Sequence, residues 1–248
     1  TNDELEELVK KTKELKEYQD TPSSQEDLEK IPMLELSDIK REPAKDYNDV
    51  KSVDGIKIVH HNIFTNKIAY INMSFDTKCV PDELIPYMGL LGSTLSLMDT
   101  KNYTYPELTN EININCGGLA TGTALYSDKV DFSKNTIVYE VKSKALYEKV
   151  PFVLGMMEEI MYNTRFDDYK RLKEIIARIK SRLEASLMGQ GHSIAMLECC
   201  AQFSESAYYS DILRGYKYYE FIKKLDEEFE QNKTQIVEKL NMLVGYIF

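Results

Sequence analysis

The chain has 248 residues, of which 43% are hydrophobic and 29% charged, a composition typical of a globular protein with one sizeable core. Its 31 basic and 41 acidic residues give a formal net charge of -10, and this field would repel a phosphate backbone, which argues against nucleic acid as a partner. No window approaches the roughly 20 apolar residues of a membrane helix, and the polar start "TNDELEELVKK" is unlike a signal peptide. We therefore expect a soluble protein with no membrane contact.

The first 50 residues predict a helical hairpin followed by an extended connector. Apolar side chains recur at the spacing of one helical stripe at Leu5, Leu8, Val9 and Leu15. A proline ends this helix, and Ser23 or Ser24 can cap a short second helix. Residues 33–54 alternate charge with turn formers and show no sustained period. We expect a linker in residues 1–50 and a separate domain in residues 51–248.

Two pairs of strands are predicted within that domain. The stretch "GIKIVHHNIFTNKIAYINMSFD" alternates in hydrophobicity on both sides of Thr65-Asn66, which predicts a hairpin with its turn at those two residues. After Gly117-Gly118, residues 119–127 and 134–143 predict a second antiparallel pair.

The remaining segments carry helical periodicity. We expect helices at residues 82–98, 106–115, 144–162 and 168–188, and three more after the stretch "GQGHS". The helix at 144–162 should be interrupted near Pro151, and Asp167 or Asp168 should cap the helix at 168–188. Strands in hairpins followed by runs of helices indicate the α+β class, with an antiparallel-rich sheet and helices layered on one face.

The histidines and cysteines are dispersed and predict no metal site. His60 and His61 are adjacent in a predicted strand, so their side chains should point to opposite faces. His192 precedes Glu198 and Cys199 by six and seven residues, which is the wrong interval for ligands on one face of a helix. The four cysteines form no C-x-x-C pair, which suits free thiols in the cytoplasm or another reducing compartment.

The stretch "GLLGSTLSLMDTKNYTYPEL", residues 89–108, is built like the centre of an enzyme but lacks the groups for chemistry. It predicts the buried end of a helix, a Tyr-Pro turn and a second helix, and it contains no His, no Cys and no Glu before Glu107. Ser93 and Ser96 lack both a nearby His and a G-x-S-x-G elbow, so neither is expected to be a nucleophile.

Several ordered motifs nevertheless resemble a known family. The stretch "ELVKKTKELKEYQDTPSSQEDLEKIPMLELSDI" resembles the linker hairpin in the presequence-protease branch of the pitrilysin and insulinase zinc metallopeptidases. The stretches "GIKIVHHNIFTNKIAYINMSFD", "PYMGLLGSTLSLMDTKNYTYPEL" and "GHSIAMLECCAQFSESAYYSDILRGYKYYEFIKKL" are similar to the third domain of those proteins. The resemblance spans nearly the whole chain.

The resemblance implies an architecture and a missing active site. In that family two related halves, each of two α+β domains, close around a peptide, and only the first domain carries the zinc motif H-x-x-E-H. In the frame of that motif, Leu90 and Thr94 take the positions of the His ligands and Ser93 that of the catalytic Glu. No nearby register supplies a His. The strand after Gly117, with Gly118, Ala120, Thr121 and Thr123, is similar in position to the edge strand that pairs with substrate in the catalytic domain.

The family resemblance therefore predicts a non-catalytic, chamber-forming domain of a zinc-dependent metalloendopeptidase that degrades peptides. This chain should hold no cofactor, because zinc would belong to the first domain of the longer parent protein. Its partners would be the catalytic half of the same polypeptide and unfolded peptide substrates. A scaffold or assembly subunit of the same fold, with no peptidase half, is the alternative, and an upstream H-x-x-E-H would distinguish the two.

Overall fold

The computed structural model describes residues 2–42, 48–131 and 133–248. They belong to two compact units, which divide between Ile63 and Phe64 and are described separately. The division into a linker of residues 1–50 and a peptidase-like domain of residues 51–248 stays a prediction about how the chain is used.

The first unit begins with the two predicted helices. Helix α1 spans Asn2–Asp20 and helix α2 spans Gln25–Glu29. Of the two candidate caps, Ser24 is the N-cap of α2, since its side chain accepts a hydrogen bond from the backbone N–H of Asp27 at 3.2 Å. A short 3-10 turn follows at Leu36–Asp38. The apolar stripe of α1 is exposed to solvent, at 64% for Leu8.

A β-hairpin ends the first unit, and here the sequence prediction was wrong. Strand β1 (Asn48–Val53) pairs antiparallel with strand β2 (Ile56–His61), so the strand expected to turn back at Thr65-Asn66 instead pairs with part of the predicted connector. The cause is the Asp54-Gly55 turn, where both residues have positive φ, 51° and 84°, as a two-residue hairpin turn of the favoured hand requires.

The second unit is built on a three-stranded antiparallel sheet in the order β3-β5-β4. Strand β3 spans Ile68–Asp76, β4 spans Leu119–Ser127 and β5 spans Asn135–Leu146, so the predicted second strand pair is confirmed. Along β5, Tyr139, Val141, Ser143 and Ala145 are buried, whereas Lys142 and Lys144 on the other face are exposed. One face of the sheet therefore carries the core, and β4 lies at an edge.

Helices surround that covered face. In chain order they are α3 (Ile85–Thr94), α4 (Tyr105–Asn115), α5 (Val150–Asn163), α6 (Tyr169–Gly189), α7 (Gly191–Cys200), α8 (Glu205–Arg214), α9 (Tyr216–Glu227) and α10 (Phe229–Ile247). Helix α3 contacts β4 and α5 contacts β5, which confirms the α+β class.

Two helical predictions need correction, and one alternative is resolved. Strand β5 extends to Leu146, and Pro151 lies in the first turn of α5 instead of interrupting a longer helix, because a missing N–H is tolerated at that position. The described residues after "GQGHS" form four helices where three were expected, since Gly215 separates α8 from α9. Asp168 is the cap of α6, and its side chain accepts a hydrogen bond from the backbone N–H of Arg171 at 3.0 Å.

Candidate functional site

The segment without catalytic groups folds as predicted, into a helix, a turn and a second helix. Helix α3 has a proline in its first turn and ends at Thr94. Thr104 and Glu107 form a capping box that begins α4, in which the Glu107 carboxylate accepts hydrogen bonds from the Thr104 backbone N–H at 2.9 Å and from its hydroxyl at 2.7 Å. These local rules fix the position of α3 against the sheet.

Helix α3 has two different faces. Leu90 and Thr94 are fully buried, and the Thr94 hydroxyl donates to the backbone carbonyls of Leu90 at 3.1 Å and Leu91 at 3.0 Å. Ser93 lies on the other face, where it lines a cavity together with Gly89 and Gly92. Of the three residues that the resemblance assigns to the motif, only Ser93 faces the cavity, and that assignment stays a prediction.

The cavity exists because α3 and β4 approach closely at two glycines. A Cβ atom on Gly92 would lie 3.0 Å from the Cα atom of Gly122 and 3.2 Å from the carbonyl oxygen of Thr121. The Thr121 hydroxyl donates to the Gly92 carbonyl at 2.9 Å, which fixes the contact. A larger residue at Gly92 would push the helix away from the strand.

Three of the four residues predicted on the edge strand line this cavity. Ala120, Thr121 and Thr123 do so, together with Gly122. Gly118 does not line it and instead precedes the strand with a φ of 116°, a conformation that favours glycine, while its carbonyl accepts a hydrogen bond from Ser143 at 2.7 Å.

Three later helices complete the cavity, which has a volume of about 570 Å³. Helix α6 contributes Arg178 and Arg182, α8 contributes Arg214, and α9 contributes Tyr218. Among the described residues that line the cavity none is acidic, although the whole chain carries a net charge of -10. The cavity is therefore a local positive region in an acidic protein.

Tyr218 is the most unusual of these side chains. It is 4% exposed, and its hydroxyl makes no hydrogen bond of acceptable geometry with the described residues. Burial raises the pKa of Tyr218, an effect that the positive charge of Arg182 and the nearby Ser93 hydroxyl partly oppose, so the phenol stays neutral and can donate a proton in a hydrogen bond. An unpaired buried hydroxyl is costly, which makes this group a candidate contact for a ligand.

Sequence reasoning missed the three arginines and Tyr218 as a group. Arg178 and Arg182 have the four-residue spacing that places them on one face of a helix. That spacing was visible in the sequence, but only the tertiary fold brings the pair to the same cavity as Ser93.

The cavity does not fit zinc. Zinc takes thiolate, imidazole or carboxylate ligands, whereas the described lining residues offer guanidinium groups, hydroxyls and backbone. Across residues 2–42, 48–131 and 133–248, no group of three or more His, Cys, Asp or Glu side chains is arranged to hold a metal ion. We derive no chemistry through a metal here.

The dispersed residues considered from the sequence lie away from this cavity. His60 and His61 are in β2 of the first unit, and His192 is in α7. Glu198 of α7 has its carboxylate 3.9 Å from the Lys217 ammonium. A hydrogen bond with Asp211 raises the pKa of Glu198. The four cysteines are free, and Cys79 donates to the Tyr246 carbonyl at 3.1 Å.

The fold and the cavity define an α+β domain with a glycine-lined, arginine-rich cavity. The chain belongs to the family described as peptidase M16 (subfamily C) associated, whose model matches residues 1–225. This confirms the resemblance to the presequence-protease branch of the insulinase-type peptidases and makes the chain a peptidase-associated domain.

Three relatives show how far the similarity extends. Protein HypA of Clostridium perfringens is 36% identical over 251 residues, covering 98% of this chain and 26% of that protein. Presequence protease 1, chloroplastic/mitochondrial, of Arabidopsis thaliana is 30% identical over 243 residues, covering 96% of this chain and 22% of that protein. Mitochondrial presequence protease of Yarrowia lipolytica is 27% identical over 248 residues, covering 99% of this chain and 24% of that protein. The chain thus spans about a quarter of the length of these relatives.

A search of the described residues for membrane-spanning helices found no helix that is long and apolar enough.

Proposed function

We propose that this chain forms one wall of the peptide-holding chamber of a zinc-dependent metalloendopeptidase and performs no chemistry itself. The proposal is supported by relatives named presequence proteases, of which the chain spans about a quarter. Zinc and the catalytic half would belong to other parts of the longer protein. These relatives favour a peptidase role over a scaffold subunit of the same fold.

The observation that carries the proposal is the cavity between α3 and the edge strand β4. An edge strand presents unpaired backbone N–H and C=O groups, which an extended peptide can pair with. Residues 120–123 have the sequence Ala-Thr-Gly-Thr, so small side chains leave that backbone accessible. The cavity provides the space for the side chains of the bound peptide.

The same residues explain why no reaction is expected. A serine or threonine hydroxyl attacks only when a base removes its proton. The Ser93 hydroxyl donates to the Gly89 carbonyl at 3.3 Å and the Thr121 hydroxyl donates to the Gly92 carbonyl, so both protons are held by backbone oxygens. No His, Asp or Glu is found among the described lining residues to serve as a base.

Site-specific photo-crosslinking tests peptide contact at this edge. A photoreactive amino acid would replace Thr123, which lines the cavity, and in a matched control it would replace Tyr70, an exposed residue on β3 at the opposite edge. After irradiation with a long unstructured peptide, mass spectrometry should detect a conjugate at position 123 and little at position 70. Equal labelling at both edges, or none at position 123, would contradict the proposal.

A further inference from the structure

We infer that the cavity binds a carboxylate group of an extended peptide, with Arg178, Arg182 and Arg214 as the binding side chains. This inference rests on the proposed function, because it assigns a chemical preference to the same cavity. It adds a specificity that the fold and the family membership do not contain.

The first observation is that the cavity arginines lack ion pairs where their neighbours on α6 have them. Lys173 contacts Glu230 at 2.8 Å and Lys180 contacts Asp226 at 2.6 Å. Arg178 and Arg182, on the same helix, make no ion pair or hydrogen bond with any described residue. The protein has 41 acidic residues, and none of those that the structure describes is paired with these two arginines.

The second observation is that the arrangement is unfavourable without a ligand. Arg178 and Arg182 are four residues apart on α6, and like charges at that spacing are destabilising. Arg214, at the end of α8, adds a third positive charge to the same cavity, and within the described chain its guanidinium donates only to the Ser210 hydroxyl, at 3.3 Å. A bound anion between the three groups would remove this repulsion.

The third observation is the unpaired Tyr218 hydroxyl in the wall of the cavity. A neutral phenol buried to 4% exposure can donate one strong hydrogen bond, and the described residues offer it no well-placed acceptor. A carboxylate has two oxygens, so one can accept from guanidinium groups while the other accepts from a phenol. The cavity thus combines a buried neutral donor with three more exposed cationic donors.

The fourth observation narrows the ligand to a peptide. The arginines share the cavity with residues 120–123 of the edge strand, so a carboxylate between the arginines would belong to a chain that can lie along β4. The carboxylate can come from an Asp or Glu side chain or from the C-terminus of the peptide. Both sources offer the same planar, two-oxygen acceptor that guanidinium groups bind in a forked geometry.

Fluorescence anisotropy with four labelled decapeptides tests the inference on the 248-residue chain. One peptide is neutral with an amidated C-terminus, one carries a central Glu, one has Gln in place of that Glu, and one has a free C-terminal carboxylate but no acidic side chain. We expect at least one carboxylate peptide to bind about tenfold more tightly than the neutral and Gln peptides, with the preference falling as NaCl is raised. Comparison of the Glu peptide with the free C-terminus identifies the source.

Three variants connect the preference to the cavity. The double variant R178Q/R182Q should remove the preference for carboxylate peptides, whereas R165Q, which changes an arginine outside the cavity, should retain it. Tyr218→Phe should weaken carboxylate binding by about threefold while leaving the thermal midpoint unchanged or higher, because the deleted hydroxyl has no partner in the described part of the free chain. A purely structural tyrosine hydroxyl would instead give a lower midpoint with unchanged binding.

The outcomes separate this inference from the proposed function. If neutral and carboxylate peptides bind equally, or if R178Q/R182Q keeps the preference, the inference is wrong and the peptide wall remains. If no peptide binds at all, both fail. Preference lost in R178Q/R182Q and kept in R165Q supports both.

Discussion

The two faces of helix α3 solve different problems with the same ten residues. On the core face, Leu90, Leu91 and Thr94 are fully buried and hold the helix in the main hydrophobic core. On the cavity face, Gly89, Gly92 and Ser93 leave room for a space of about 570 Å³. The core face keeps the architecture of a peptidase domain, while the cavity face carries no group that could act on a peptide. Fold and chemistry are thus separable on a single helix.

The same contrast applies to charge. On the outer face of β5, the Glu140 carboxylate accepts hydrogen bonds from Asn72 at 2.8 Å and Tyr126 at 2.8 Å and contacts the Lys142 ammonium at 2.6 Å. In the cavity, Arg178 and Arg182 lack such partners among the described residues. The Glu140 charge is paired within the fold, whereas the charges in the cavity are available to a ligand.

Grafting the zinc motif onto α3 should produce the largest effect. In L90H/S93E/T94H two histidines replace fully buried residues of the core face, which we expect to lower the free energy of unfolding by about 2–5 kcal/mol. Zinc should bind weakly, because two histidines without a third protein ligand or supporting partners make an incomplete site. Urea unfolding and zinc titration measure both effects.

The single variant S93E is the control for the graft, since it changes only a cavity-facing residue and should cost much less stability. A triple variant that keeps the stability of the parent chain, binds zinc tightly and cleaves peptide would show that the cavity is a nearly complete active site.

A glycine pair tests the close approach of α3 and β4. Gly92→Ala should destabilise the chain by about 1–3 kcal/mol, because its Cβ atom would meet the backbone of Gly122 and Thr121. Gly155→Ala is the matched control, as a Cβ atom at Gly155 of α5 meets nothing within 4 Å, and it should stabilise the helix by up to about 1 kcal/mol. Thermal unfolding compares the two, and equal effects would mean that the helix–strand contact is not tight.

Glu140 predicts a smaller effect that depends on pH. Burial tends to raise the pKa of Glu140, but hydrogen bonds from Asn72, Lys142 and Tyr126 outweigh it, so the pKa lies below its ordinary value of 4.5. A lowered folded-state pKa contributes stability above the unfolded value that is lost as pH falls through the folded value. Glu140→Gln should therefore reduce the loss of stability below about pH 4.5, measured by urea unfolding at several pH values. An unchanged pH profile would indicate that the cluster contributes nothing.

Much of the architecture around the cavity could be predicted, because local signals were strong there. The Gly117-Gly118 break and the alternation that follows predicted β4 and β5, and the Thr104–Glu107 capping box fits the predicted start of α4. The β1–β2 pairing was missed because the Asp54-Gly55 turn was given less weight than the longer alternation around Thr65. A turn signal of two residues decided the register.

The contents of the cavity were harder to predict. The inner stripe predicted for α6 is correct at Leu172, Ile176 and Ile179, which are buried. Arg178 and Arg182 lie outside that stripe, where charged residues usually face solvent. Their convergence with Ser93 and Tyr218 depends on how four helices pack, and no local pattern encodes that placement.

The central claim is that this domain contacts a peptide without cleaving it, and one measurement tests it most directly. The chain would be dialysed against zinc and then buffer, analysed for bound metal, and incubated with a long unstructured peptide whose mass is followed over time. We predict no stoichiometric zinc and an intact peptide, whether or not a chelator is present. Stoichiometric zinc with cleavage that a chelator abolishes would contradict the account.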